Sequence, residues 1–180
     1  MKLLLSVYLV FIFTNTFSQT TTQNDTLHWS VNRLLNWSDF KGEAIEDIGF
    51  VGEAFCMNFA RFEKLNAFQK TKFKVNAVFD RTKSWVEKDT KVDQLLLYFQ
   101  VMFNIYEVHA RALRKDFANS KMGYDPTNQF QEKYNNSMTN LTNEYNQFRK
   151  ETKLGIDSIA LVSWKQKVEL ELNELRDYSK

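Results

Sequence analysis

The chain has 180 residues, of which 24 are basic and 22 acidic, a formal net charge of +2. It carries neither the basic excess nor the clustered stripe of a phosphate-binding surface, so nucleic acid is not an expected partner. Cys56 is the only cysteine and closes no disulfide within the chain, so stability must come from packing, for which sixteen Phe, seven Tyr and four Trp are available.

Met1-Lys2 is a positive start, Leu3 to Phe13 is apolar apart from Ser6 and Tyr8, and Thr14-Asn15-Thr16-Phe17-Ser18 is a polar, small-residue exit. That is the order of regions in a secretory signal. The apolar run is shorter than the roughly 20 residues that span a bilayer core. Residues 1–18 are therefore expected to be a cleavable signal peptide rather than an anchor, cut before Gln19, and the destination is secreted or periplasmic. Removing Lys2 leaves 23 basic against 22 acidic residues, a charge of +1. No cysteine lies near the cut to take a lipid, so no stable membrane insertion is expected after cleavage. Residues 19–26 form a polar tether, and 27–180 a single domain, since about 160 residues suit one core better than two.

Strand signals fill 27–88. Leu34-Leu35-Asn36-Trp37, Ala54 to Phe62 and Phe73 to Phe79 are rich in aromatic and β-branched residues, and polar and apolar residues alternate from Lys72 to Val75. Within the second stretch Cys56 reads as a small buried hydrophobe rather than a reactive thiol. After Asp89 the period lengthens to about three and a half. Leu95, Phe99, Met102, Phe103, Tyr106, Ala110 and Leu113 mark one long helix from near Thr90 to near Phe117. A second begins at Thr127, with Phe130, Tyr134, Met138, Leu141, Tyr145 and Phe148 as its stripe and Gly155 as its C′ stop. Asp157 or Ser158 caps a third, whose inner face is Leu161, Trp164, Val168, Leu172 and Leu175. Strands first and helices after predict an α+β fold: a small antiparallel sheet followed by three helices.

Few side chains suit catalysis. There are two histidines, His28 and His109, and neither has a nucleophile elbow beside it. Glu107 and His109, two apart on a helix, project about 200° from one another and cannot chelate one ion. Glu107 and Arg111, four apart with the acid first, form instead a helix ion pair of a few tenths of a kcal/mol, about 0.2–0.5.

Four stretches together resemble the bacterial family known as domain of unknown function 922, whose members are labelled secreted zinc-dependent proteases. Leu35-Asn36-Trp37-Ser38-Asp39-Phe40-Lys41-Gly42 is similar to its L-x-W-x-D-F-K-G opening, and Val75 to Val86, ending Lys83-Ser84-Trp85-Val86, to its strand ending in K-S-W-V. Leu95 to Arg114 aligns with L-L-x-H-E-Q-x-H-F-D-I-x-E-x-x-A-R-x-L-R. Glu151-Thr152-Lys153-Leu154-Gly155, with Trp164 following, aligns with E-T-x-H-G and a tryptophan. The resemblance implies a zincin-like (metallopeptidase-like) architecture. In an H-E-x-x-H helix the two histidines bind zinc and the glutamate serves as general base. At those positions stand Tyr98, Phe99 and Met102, and the downstream family histidine is Leu154. Gln100, Phe103, Ile105, Glu107, Ala110, Arg111, Leu113, Arg114, Thr152 and Gly155 keep the family residue.

The resemblance therefore implies a pseudoenzyme: no catalytic residue, no metal and no cofactor, with Tyr98, Phe99, Met102 and Leu154 at the degenerate positions. The expected role is to bind an unidentified protein or envelope ligand, or to serve as a structural component of the envelope. The alternative is a hydrolase with relocated machinery drawn from Glu53, Glu87, Glu107, His109 and a hydroxyl.

Overall fold

The computed structural model describes residues 25–45, 49–63, 71–123 and 125–179. The expected signal peptide and most of the tether lie outside the described residues. Alternation along Lys72–Asp80 makes β4 the centre of a three-stranded antiparallel sheet. β3 (Cys56–Glu63) pairs along one side of it, from Cys56 opposite Phe79 to Glu63 opposite Lys72. β1 (Thr26–His28) pairs along the other, Thr26 opposite Asp80, so ordered pairing begins one residue before the expected domain boundary. A separate two-stranded ribbon joins β2 (Gly52–Glu53) to β5 (Trp85–Val86).

The helices are α1 (Asp93–Asn119), α2 (Thr127–Glu151) and α3 (Ser158–Glu174). The expected α+β class and the order of sheet and three helices are both present. α1, 27 residues and about 40 Å long, lies across β4 and β3 and receives both other helices. Its predicted stripe points inward: Phe99, Met102, Phe103, Ala110 and Leu113 are buried among Val75, Ala77 and Phe79 of β4. A column of rings ties the layers together, with Phe73 of β4 stacked on Phe117 of α1 at 4.3 Å and Phe117 on Phe130 of α2 at 5.3 Å. Asp157 caps α3 by accepting from the Ala160 amide. Among the described residues no helix is long and apolar enough to cross a membrane.

Two sequence expectations are corrected. Leu34–Trp37 is not a strand. Asn36 caps a 3-10 turn, Trp37–Asp39, accepting from the Ser38 amide while Asp39 accepts from the Asn36 amide, each at 2.9 Å. Short polar side chains here satisfy the backbone locally, and that defeats the strand preference of the neighbouring apolar residues. Nor is Gly155 the C′ residue of α2. The helix closes on a Schellman pattern, with the Leu154 amide donating to the Arg149 carbonyl and the Lys153 amide to Lys150. Lys153 and Leu154 take the positive φ values, 48° and 59°, ahead of Gly155 at 90°.

Candidate functional site

The four stretches that carry the family resemblance pack against one another. The Lys41 amide donates to the Arg81 carbonyl and the Gly42 amide to the Ser84 carbonyl, joining the first stretch to the second. A Cβ on Gly42 would stand 2.8 Å from the Thr82 carbonyl oxygen, so a side chain there would push the two apart. Asp39, fully buried, pairs with Arg33 and with Arg81. Gln100 of α1 accepts from the Leu35 amide at 2.7 Å, which ties the first stretch to the third. In the fourth, Glu151 accepts from the Trp164 indole at 2.8 Å and Thr152 is buried.

Tyr98, Phe99 and Met102 fall on one face of α1, as spacings of one, three and four positions require. The α2–α3 turn brings Leu154 to the same place, because Gly155 seats directly on the helix: a Cβ there would lie 2.8 Å from Tyr98 Cγ. Tyr98, Phe99, Met102 and Leu154 all line one pocket of about 280 Å³. Tyr98, Phe99 and Met102 are buried, while Leu154 is 39 % exposed. Phe99 also packs on Phe40 of the first stretch, ring centroids 5.0 Å apart. Phe50 to Ala54, the segment that contains β2, and Ile156 also line it.

The pocket is mainly apolar, with two charged side chains on its walls, Glu53 of β2 and Arg149 of α2. The Arg149 guanidinium lies 5.4 Å from the Tyr145 ring centroid and 5.9 Å from that of Phe50. Burial pushes the Tyr98 and Tyr145 phenols up from their ordinary range, and Arg149, through its charge and a hydrogen bond to each, partly counters it. Both hydroxyls therefore stay neutral donors at physiological pH.

Zinc does not suit these residues. Phe99 and Leu154 offer no donor atom, the Met102 thioether is a poor ligand for this ion, and Tyr98 is held in its protonated form. Among the described residues no three His, Cys, Asp or Glu side chains come together as a metal-holding group.

Of the residues considered for relocated chemistry, only Glu53 lines the pocket. Glu87 precedes the 3-10 turn Lys88–Thr90. Glu107 is buried and held by Arg111 at 3.0 Å and Arg114 at 3.0 Å, a stronger arrangement than the surface pair its spacing suggested. Those guanidiniums reach on to the carbonyls of Leu172, Val75 and Tyr178. His109 meets Glu144 of α2 through Nε2 at 2.7 Å, and Lys167 of α3 also pairs with that carboxylate. The His109 contact holds the Glu144 carboxyl down at about 2. Cys56 is buried, and burial pushes its thiol up, as the hydrophobic reading expects.

Sequence reasoning missed Arg149 and the Phe50 wall. Tyr145 and Arg149 are four apart and share a helix face, but nothing local says that this face borders a pocket rather than water. Compared with protein-family models, curated proteins and solved structures, the chain matches none.

Proposed function

We propose that this chain is an exported pseudoenzyme: a zincin-like domain that has lost the zinc site of secreted zinc-dependent proteases and uses the same place as an apolar binding pocket, in the secreted or periplasmic space. One observation carries the reading. The four positions that hold zinc ligands and general base in the family it resembles line a single pocket, and none bears a ligand. A catalytic zinc needs about three protein ligands and an open position for water. Without them no group generates a hydroxide near neutral pH. The residues shared with the family stand in the contacts that hold the four stretches together, so substitution is concentrated where the chemistry would be. The hydrolase alternative has less support, since Glu107 and His109 are engaged with partners away from the pocket.

The test is elemental analysis and a peptide-hydrolysis assay on exported protein whose N-terminus has been fixed by mass spectrometry. The expected result is a start near Gln19, substoichiometric zinc and no cleavage. Close to one zinc per chain overturns the pseudoenzyme, and an intact Met1 in the membrane fraction overturns cleavage near Gln19. A quadruple variant, Tyr98→His, Phe99→Glu, Met102→His and Leu154→His, is expected to fold and gain zinc affinity. A folded variant with no gain would mean that these positions are not the metalloprotease site.

A further inference from the structure

We infer that the pocket between α1, α2 and β2 takes a small apolar molecule ending in one carboxylate, with Arg149 holding that headgroup. The inference rests on the reading of this pocket as a binding site and adds the class of ligand. Its first support is the state of Arg149. It lines an apolar pocket and forms none of the ion pairs among the described residues; it meets the ring faces of Tyr145 and Phe50 and the hydroxyls of Tyr98 and Tyr145. By contrast Arg111 and Arg114, two other inward-facing guanidiniums, are both paired with a carboxylate. The Tyr98 and Tyr145 phenol oxygens take hydrogen bonds from this guanidinium, but they leave its charge without a carboxylate, and its planar fork of five N–H donors matches one.

Its second support is the pair of neutral phenols, Tyr98 and Tyr145, within the influence of the same guanidinium. They add O–H donors where an anion would be received. Glu53, the other charged wall residue, is exposed on β2, where solvent screens it. Its charge still reaches Tyr145, whose phenol it helps to raise, so it opposes an anion here and counts against a dianion. Size follows from volume: at roughly 30 Å³ per water-sized group, 280 Å³ has room for an apolar tail of medium length and one headgroup. Phe99, Met102 and Leu154, which cannot hold zinc, are suited to lining such a tail.

Isothermal titration of the exported protein with octanoate, 1-octanol and octylamine separates the terms. Octanoate is expected to bind at least about tenfold more tightly than octanol, in line with a hydrogen bond to a charged group. Octylamine should bind more weakly than either. Arg149→Gln should bring octanoate down to the level of octanol in the same variant, and retained octanol binding shows that the variant pocket is intact. Arg149→Lys should keep part of the preference. Equal binding of octanoate and octanol, an octanoate preference that survives in Arg149→Gln, or preference for octylamine overturns the carboxylate assignment and leaves the pocket a binding site. No binding of octanoate or octanol removes the pocket reading itself.

Discussion

Glu107→Leu tests the energetics of the inner face of α1. The carboxylate is fully buried and receives Arg111 Nε at 3.0 Å and Arg114 Nη1 at 3.0 Å, while Arg114 Nη2 reaches its second oxygen at 3.3 Å. Leucine leaves two guanidiniums in the interior with only carbonyl oxygens to meet them. Removing one partner from a buried pair costs about 3–5 kcal/mol. For a domain of this size each kcal/mol moves Tm by about 2–4 °C, so the expected drop is about 6–20 °C. Urea unfolding followed by circular dichroism measures it, and Glu107→Gln, which keeps an acceptor, should lose less. A Glu107→Leu loss below about 0.5 kcal/mol would be the value of a solvated i,i+4 pair. That result would refute the buried network as a source of stability.

Gly155→Ala should destabilise by about 1–3 kcal/mol, since alanine is strained at a φ of 90° and its Cβ meets Tyr98; the denaturant midpoint reads it. Acid unfolding should depend on Glu144. Its folded carboxyl lies at about 2 against an ordinary 4.5, so its contribution is complete above 4.5 and lost as pH falls toward 2; Glu144→Gln should flatten that limb of the stability profile. Glu171 acts in the opposite sense: burial and the Glu144 charge raise its carboxyl, and one oxygen is buried without a hydrogen bond, so Glu171→Gln should raise Tm at neutral pH. The Cys56 thiol should react with alkylating reagents only as fast as the protein opens, measured by mass spectrometry against the unfolding rate.

The helices were legible because period survives burial. The α1 stripe, the start of α2 at Thr127 and the Asp157 cap all follow from local pattern. Strands of two or three residues, as in β1, β2 and β5, are too short to show alternation, and their pairing is set by partners distant in sequence. Glu107 was legible as Arg111's partner but not as a core residue. The clue was present: Phe103, Glu107, Ala110 and Arg114 recur at spacings of four, three and four, which places them on one side of the helix. The convergence of Tyr98, Phe99 and Met102 came from helical spacing. That of Leu154 came only with the resemblance, because a turn some fifty positions away has no period to betray where it will land.

The grip of α1 on Leu172 and Tyr178 has a consequence for the order of folding. Arg111 donates to the Leu172 carbonyl and Arg114 to that of Tyr178, 61 and 64 positions further on. β1 likewise waits for β4, with Thr26 opposite Asp80. Contacts so distant in sequence delay the rewarding step until the loop entropy has been met. Until residue 178 has left the ribosome, α1 has its acid, its two arginines and the Val75 carbonyl, but not the Leu172 and Tyr178 carbonyls that complete their coordination. The domain is therefore expected to fold as a unit once Tyr178 has emerged rather than strand by strand before that, and nascent chains halted short of Arg176 should remain sensitive to protease when longer ones do not.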